Sequence, residues 1–481
     1  MRFLFTVVIT ACFALETIAA NAQDNTDVWS LQRCVQYAID HNISIQQDVL
    51  NKRLAKYTLL QSQLSQLPSV NATPAYGRSF GRSINPTTNQ FADNSYDFAG
   101  LSGTANLVVF GWFATRNTIA KNKYSLQASQ ADLDQLKDDV SLNVATGYLR
   151  ALQAQEQINV SQKQVALSMA QLDQTRSFTN SGRLPELNVA QLESQVATDS
   201  SSLITAIANY TAAILDLKTL LNLDFDAPFT ILAPDVKVAD QISVSNMKPE
   251  DIFAEAKKHF GSIRSSELKV TAAEKGVSAA KGALYPQLNF TAQFGTNWAS
   301  NYQQVSHIDT TIVPTGFVTN STSGATEIVY QPTLIPTFDN IAFGKQLNNN
   351  FRQTYQISLN IPIFNGWQSQ YAVRQAKYNL ATQQLNEYQA ELTLKQDVYK
   401  AYNDAINSIQ KYYAAVRAAD AAQRALDFAK KRYDLGLTNT VDYLVTQNTQ
   451  YSAESNMLSA KYDLIFKLKV IDYYLGKELK L

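Results

Sequence analysis

The longest stretch of the chain without a glycine or a proline runs for 69 residues, from Trp367 to Leu435. Apolar side chains recur in it at alternating spacings of three and four, with Lys395 in the one missing place: Leu385, Tyr388, Leu392, Tyr399, Tyr402, Ile406, Ile409, Tyr413 and Val416. This repeat predicts a coiled-coil seam. At about 1.5 Å per residue, the helix is about 100 Å long. Its apolar face is too narrow for an isolated globular core, so it needs other helices beside it.

The residues before this helix alternate between apolar and polar. Polar side chains separate the apolar ones, which are Phe351, Tyr355, Ile357, Leu359, Ile361 and Ile363. This period predicts a strand with one apolar and one polar face. Its length is enough to cross a bilayer when tilted, as in an outer-membrane barrel with a wet interior. Aromatic residues such as Trp298 and Tyr355 are expected at the membrane interface. Two ordinary hairpins on a soluble domain remain the alternative.

The chain repeats the same order of elements. Ala38, His41, Ile45 and Pro68 correspond to Ala256, His259, Ile263 and Pro286, at a constant offset of 218. Each copy reads as helix, strand, strand, long helix and return helix. A repeat over this length is not expected by chance.

The predicted bounds follow from this order. Repeat 1 covers 23–225, repeat 2 covers 249–481, and 226–248 is a linker. In repeat 1 the strands are 69–82 and 97–109, followed by a long helix 112–181 and a return helix 186–223. In repeat 2 they are 287–298 and 351–363, followed by helices 367–435 and 440–475, with 300–350 as a polar extracellular loop.

The N-terminus predicts export. Residues 1–22 read as a signal peptide that ends at a small-x-small cleavage site. Cys12 sits in a weak match to a lipidation box. Cleavage leaves only Cys34, on an apolar helix face, so we expect a buried small hydrophobe and no disulfide. Acidic and basic residues balance at 41 each, which argues against nucleic-acid binding. No run of 18 apolar residues occurs after the signal peptide, so the sequence predicts no membrane-spanning helix.

Four strands per chain cannot close a barrel, and lipid does not tolerate open sheet edges. The chain is therefore expected to assemble with copies of itself. Two copies give eight strands and a filled lumen, whereas three give twelve strands and room for a channel.

The sequence resembles the TolC family of outer-membrane efflux proteins over essentially the whole mature chain. The resemblance rests on the order and lengths of the elements, the opening 31–38 with His41 and Asn42 after it, and the hairpins at Gly182 and Gly436. It implies a homotrimer in the outer membrane of a Gram-negative cell. In it, a 12-stranded barrel continues into a periplasmic α-helical coiled-coil barrel. The implied fold class is an α+β membrane protein with two internal repeats.

The resemblance also implies roles for the hairpin turns at the far end of the tunnel. They dock a periplasmic adaptor, or membrane-fusion protein, which links the duct to an inner-membrane pump. The corresponding residues are Gly182, Arg183, Leu184, Gly436, Leu437 and Thr438. Glycine permits the tight reversal, and an exposed leucine beside it is a natural apolar anchor. Plain helix-hairpin turns are the alternative.

Three more residues correspond to the aperture of the family. Tyr433 matches a latch tyrosine, but its partner position holds Asn188, so that bond is neutral and weaker. Asp442 matches the first of two aspartates that ring the tunnel mouth, and Val445 replaces the second. Three copies of Asp442 form an acidic ring that favours cations. The alternative for Asp442 is a solvated residue near a helix start.

Nothing in the sequence points to an enzyme. The three histidines are far apart, and no phosphate loop, metal-spaced cluster or nucleophile elbow is present. No cofactor is expected. The duct is therefore expected to be passive, with the bilayer, the adaptor and the pump as its partners. A structural or adhesive outer-membrane protein with a surface-binding loop is the alternative class. Within transport, drugs, metals and polypeptides all remain open as cargo.

Overall fold

The structure is a computed structural model, and it describes residues 28–84, 89–93, 95–233 and 247–477. The predicted signal peptide 1–22, Cys12 and residues 234–246 of the predicted linker lie outside the described residues. The chain divides into two compact units. Unit 1 contains the chain up to Lys56, Tyr124–Thr271 and Ala381–Leu481, and unit 2 contains Tyr57–Lys123 and Ala272–Leu380.

The first half of the chain contains four helices and six strands among its described residues. The helices are α1 (Leu31–His41), α2 (Ile43–Leu64), α3 (Ala114–Asn180) and α4 (Glu186–Leu221). The strands are β1 (Val28–Trp29), β2 (Ser69–Ser79), β3 (Arg82–Ile84), β4 (Phe91–Asp93), β5 (Tyr96–Phe110) and β6 (Thr230–Ile231).

The second half follows the same order with an added segment. Its helices are α5 (Pro249–His259), α6 (Gly261–Gly282), α7 (Phe343–Asn349), α8 (Gln368–Asp434) and α9 (Thr440–Tyr474). Its strands are β7 (Gln287–Ala299), β8 (Gln303–Thr319), β9 (Thr326–Asn340) and β10 (Arg352–Asn360).

The core of unit 1 includes pairs of positions that are 218 residues apart in sequence. Cys34, Ala38 and Ile45 of α1 and α2 are buried, and so are Ile252, Ala256 and Ile263 of α5 and α6. Burial raises the pKa of the Cys34 thiol to about 12. The thiol therefore stays protonated and packs as an apolar side chain.

The breaks between these short helices have local causes. The extended backbone of Asn42, with ψ 129°, ends α1, and its N–H makes the last helical bond, to the Ala38 carbonyl at 2.8 Å. The Asn42 side chain then accepts from the Ser44 N–H at 2.9 Å and caps α2. In the second half, the extended backbone of Phe260, with ψ 120°, ends α5 in the same way, and its N–H donates to the Ala256 carbonyl at 2.9 Å.

The seam by which α8 packs within the chain is not the one the sequence predicts. The buried side chains of α8 include Leu394, Val398, Ala401, Ala405 and Ser408. Of the predicted seam, Leu385, Tyr388, Leu392 and Tyr413 are exposed. Small residues such as Ala401 and Ala405 let neighbouring helices approach closely. Tyr402 and Ile409 of the predicted seam pack against the core as partly buried side chains. The sequence did not assign the predicted seam to packing within one chain or between copies, and the seam residues that are exposed here do not supply the packing within the chain.

Helix α4 also differs from expectation. Among the described residues it is the one helix long and apolar enough to cross a membrane by length and composition, although the sequence predicted no such helix. It nevertheless holds the buried Asp199, and its Lys218 ammonium donates to the carbonyls of Phe225 and Ala227 at 2.7 and 2.6 Å. Some of the apolar side chains of α4, such as Ile204 and Ile207, are exposed in the single chain.

Unit 2 contains a four-stranded antiparallel sheet in the order β10-β7-β5-β2. Its edge strands are β2, the first of the four strands in the sequence, and β10, the last of them. The predicted loop 300–350 is wrong as a loop. It contains the long antiparallel hairpin β8–β9 and helix α7. Its Thr, Ser and Asn content suggested a loop, but its apolar residues alternate with polar ones as in a strand.

Candidate functional site

The four-stranded sheet has two chemically different faces. Paired residues on one face are apolar, as in Ile357 with Phe290 and Leu359 with Leu288, and Trp298 and Tyr355 lie on this face. The opposite face is polar, with Asn289, Thr291 and Gln293 opposite Ser358, Gln356 and Thr354. On the polar face the Thr291 hydroxyl donates to the Asn106 side-chain oxygen at 3.1 Å. Such a sheet matches lipid on one side and water on the other.

The two hairpin turns of unit 1 have the same backbone geometry. Gly182 and Gly436 adopt positive φ angles of 72° and 73°. The Arg183 N–H donates to the Phe178 carbonyl, and the Leu437 N–H to the Arg432 carbonyl, both at 2.8 Å. These bonds form the αL helix end that favours glycine, because a Cβ would be strained there. The guanidinium of Arg183 stacks over Phe178, 4.4 Å from the ring centroid.

The two turn leucines differ in their surroundings. Leu437 is 64% exposed. Leu184 is partly buried and packs against the small cluster of Leu426, Tyr433 and Tyr443. Thr438, which follows Leu437, is partly buried. Leu437 is therefore accessible to a partner, whereas Leu184 holds the hairpin end together.

Tyr433 is buried at 4% exposure and stacks on Tyr443, with ring centroids 5.0 Å apart. Its hydroxyl lies 3.0 Å from the Thr175 hydroxyl of α3 and 3.3 Å from the Thr440 hydroxyl of α9. Among the described residues, these threonines bond to it, and the expected partner Asn188 does not. Next to it, the Gln174 amide donates to Asp434 at 3.0 Å. These bonds join α3 to α8 near the hairpin ends.

Asp442 forms part of the N-terminal cap of α9. Its N–H donates to the Asn439 side-chain oxygen at 2.7 Å, and its carboxylate accepts from the Asn439 amide at 2.9 Å. A carboxylate in this position also interacts favourably with the helix dipole. Asp442 and Val445 are both exposed. The capping role and an aperture role are therefore compatible, because the cap leaves the carboxylate open to solvent.

A row of buried polar side chains runs along the helices near the hairpin ends. We call this row the polar seam, and it consists of Ser161, Gln164, Ser168, Gln171 and Thr175 of α3 and Thr440, Gln447 and Gln450 of α9. The α3 members repeat at spacings of three and four, as apolar residues do in an ordinary coiled coil. Sequence reasoning that searched for apolar repeats missed this one, although the spacing is visible in the sequence.

Some members of the polar seam are well bonded and others are not. The Gln164 and Gln195 amides donate to the buried Asp199 carboxylate at 3.2 and 2.8 Å. By contrast, both amide atoms of Gln447 and the amide nitrogen of Gln171 are buried without a hydrogen bond to any described residue. Buried polar atoms without partners destabilise the packed state. Separation of the helices here releases this penalty, because water can then reach the amides.

Tyr433→Phe is expected to weaken the hairpin-end contact. The change removes the bonds to Thr175 and Thr440 and keeps the ring stack, which corresponds to a loss of about 1 kcal/mol. Tyr443→Phe is the matched control. The Tyr443 hydroxyl is also buried, has no bonding partner among the described residues, and has its pKa raised to about 12 by burial.

Thermal melting of purified protein tests this pair of variants. Tyr433→Phe should lower Tm, and Tyr443→Phe should leave it unchanged or raise it. Equal losses from both variants would show that the Tyr433 bonds carry no stability.

A sheet with one apolar and one polar face, whose two edges are unpaired within the described part of the chain, combined with helical hairpins of this length, is typical of the class of outer-membrane channel proteins. The family model described as "Outer membrane efflux protein" matches residues 34–223 and 254–476. The chain therefore belongs to the outer membrane efflux protein family, whose members are non-enzymatic outer-membrane channels. The predicted resemblance to the TolC family is confirmed.

Individual relatives agree with this assignment. The chain is 25% identical over 340 residues to "Outer membrane protein TolC" of Escherichia coli K12. The aligned region covers 70% of this chain and 61% of that protein. It is 23% identical to "Outer membrane efflux protein BepC" of Brucella suis biovar 1, over 82% of this chain and 76% of that protein. The solved structure of VceC from Vibrio cholerae has the same fold. It has a TM-score of 0.72 at 13% identity, over 94% of this chain and 97% of that one.

Proposed function

We propose that the chain is the outer-membrane exit duct of a tripartite efflux or type I secretion system. In this role it passively conducts cargo across the periplasm and the outer membrane. The observation that carries the proposal is the two-faced sheet, whose edge strands β2 and β10 each have one side unpaired among the described residues. Open edges are not tolerated in lipid, so β2 of one copy is expected to pair with β10 of the next.

Three copies are the favoured number. Four strands per chain make a barrel of twelve strands, which leaves room for a channel, whereas eight strands leave a lumen filled with side chains. The exposed apolar residues of the helices support the same assembly. Leu385 and Tyr388 of α8 and Ile204 of α4 are 69%, 62% and 68% exposed in the single chain. Contacts between copies would cover them and complete the helical barrel.

The hairpin ends are the proposed docking and gating region. The turns at Gly182–Arg183–Leu184 and Gly436–Leu437–Thr438 are expected to face a periplasmic adaptor that connects to an inner-membrane pump. Leu437 is the favoured apolar anchor because of its exposure. Tyr433, Asn188 and Asp442 belong to the closing end. Opening is expected to be iris-like, with the hairpins moving outward along the polar seam, and the pump supplies both the energy and the choice of cargo.

Single-channel conductance of the detergent-purified oligomer in a planar bilayer tests the proposal. We expect discrete openings with a preference for cations, because three copies of Asp442 form an acidic ring. Asp442→Ala should reduce this preference. As a control, Asp216→Ala removes an exposed acidic residue of α4 and should leave the cation preference unchanged.

The outcomes separate the parts of the proposal. Openings whose selectivity is unaffected by Asp442→Ala would keep the duct and remove the aperture assignment. A folded oligomer that does not conduct, even with the hairpin end loosened by Tyr433→Phe, would contradict the duct itself.

A further inference from the structure

The hairpin β8–β9 forms an arm that lies between β7 and β10 in the sequence and makes a separate two-stranded sheet. Its strands have 17 and 15 residues and pair over nearly their whole length, with irregularities at Val305/His307 and Pro314/Gly316. At about 3.3 Å per residue the arm is about 50 Å long. Nearly all of its residues are exposed.

The register sorts the arm residues onto two faces. Paired residues on one face are apolar, as in Val305 with Phe338, Ile312 with Pro332 and Phe317 with Ile328. The opposite face is mostly polar, with pairs such as Gln304 with Asp339 and Thr311 with Thr333. On the apolar face, Ile312, Phe317 and Leu334 are 66%, 75% and 64% exposed.

An arm of this kind is incomplete without a cover. A two-stranded hairpin is only marginally stable in water, and it becomes stable when a third element packs on its apolar face. An exposed apolar stripe of this length also marks an interaction surface. The arm is nevertheless held firmly at its base. The buried Gln346 of α7 donates to the carbonyls of Ala299 and Ile341, both at 3.0 Å, and accepts from the Ala299 N–H at 3.0 Å.

Three prolines decide how a partner can approach. Pro314 lies in β8, and Pro332 and Pro336 lie in β9, and all three fall on the apolar face. A proline has no N–H, so in a paired strand it fits where its nitrogen points away from the neighbouring strand. The outer edges of both strands therefore lack donors at these positions. Extension of the hairpin by a further strand is disfavoured, and a partner must pack on the face instead.

We propose that the apolar face of the arm packs against the arms of the other copies, so that the arms of one trimer cover each other. The inference rests on the proposed trimer. A face about 50 Å long and roughly 10 Å wide offers about 500 Å². A free partner needs about 800 Å² on each side for a stable interface. Copies that are already joined through their barrels need much less, because the linkage makes their effective concentration high.

The charges on the arm favour the same occupant. Residues 303–340 contain three acidic residues, Asp309, Glu327 and Asp339, and no lysine or arginine. All three acidic residues are on the polar face, so apolar faces can meet without repulsion. An anionic lipid surface, by contrast, is recognised by lysine and arginine. The arm therefore fits a second copy better than a membrane surface.

Cysteine cross-linking of the full-length oligomer in detergent tests the arm contact. Leu334→Cys places a thiol on the apolar face, and Thr333→Cys places one on the adjacent position of the polar face. The native Cys34 is fully buried and does not compete. A short bismaleimide is used, so that the strict geometry of a disulfide is not required. We expect covalent dimers from Leu334→Cys and none from Thr333→Cys.

Each outcome has one meaning when the oligomeric state is measured alongside by native mass spectrometry. Dimers from Leu334→Cys alone support the arm contact. An intact trimer with no cross-link, or with equal cross-linking at both positions, overturns the arm contact and leaves the proposed function standing. A protein that forms no trimer removes both proposals.

Discussion

Leu437→Asp is expected to abolish export without changing the stability or the oligomeric state of the protein. Leu437 is 64% exposed at a turn whose backbone is fixed by the Gly436 conformation, so the substitution breaks no internal packing. Substitutions at such surface positions usually change stability by less than about 0.5 kcal/mol. A carboxylate in the centre of an apolar docking contact, however, loses its hydration without gaining a partner. Export assayed in cells that carry the cognate pump measures the effect.

Two companion variants make this result specific to docking. Leu437→Met keeps an apolar side chain of similar volume and should preserve export. Leu184→Asp should instead lower Tm, because Leu184 packs against Leu426, Tyr433 and Tyr443 within the chain. Normal export by Leu437→Asp would remove the docking role of this turn.

Gln447→Met is expected to raise Tm and reduce export. Both amide atoms of Gln447 are fully buried and lack a hydrogen bond to the described residues. Methionine of similar shape removes this penalty, which corresponds to about 1–3 kcal/mol in favour of the packed state. If the polar seam must separate for the duct to open, the same change holds it shut. Fewer openings in a planar bilayer should accompany the higher Tm.

Gln450→Met is the matched control for this variant, one helical turn further along α9. The Gln450 amide donates to Gln423 at 3.0 Å and to Glu454 at 2.8 Å, so its removal should lower Tm. A Gln447→Met protein with a raised Tm and unchanged conductance would show that the polar seam does not move during opening.

Much of the fold was predictable because its signals are local. Strand alternation and the change to helical spacing depend on neighbouring residues alone. The structure places the long helices at Ala114–Asn180 and Gln368–Asp434, within a few residues of the ranges read from the sequence. The face assignments of Trp298 and Tyr355 also follow from parity, since each strand has only two faces.

The residues of the candidate site were less predictable. Tyr433 was expected opposite Asn188, but its hydroxyl bonds to Thr175 and Thr440. Leu184 lies two residues after its turn glycine and Leu437 lies one residue after its own, and only Leu184 packs inward. The partners of Tyr433 depend on side chains brought together from distant parts of the chain, and no local pattern reports them.

The sequence alone therefore determined the order of the elements, the two faces of each strand and the family. The strand faces are visible in short windows of alternating residues, whereas the order of the elements and the family follow from the succession of such windows along the whole chain. Only the tertiary structure decided which face of α8 packs inside the chain, where the polar seam lies, and that 303–340 is an arm and not a loop. The physical reason is competition for space. Small residues such as Ala401 and Ala405 permit closer packing than the aromatic seam, and the periodicity of the sequence does not rank one apolar face against another.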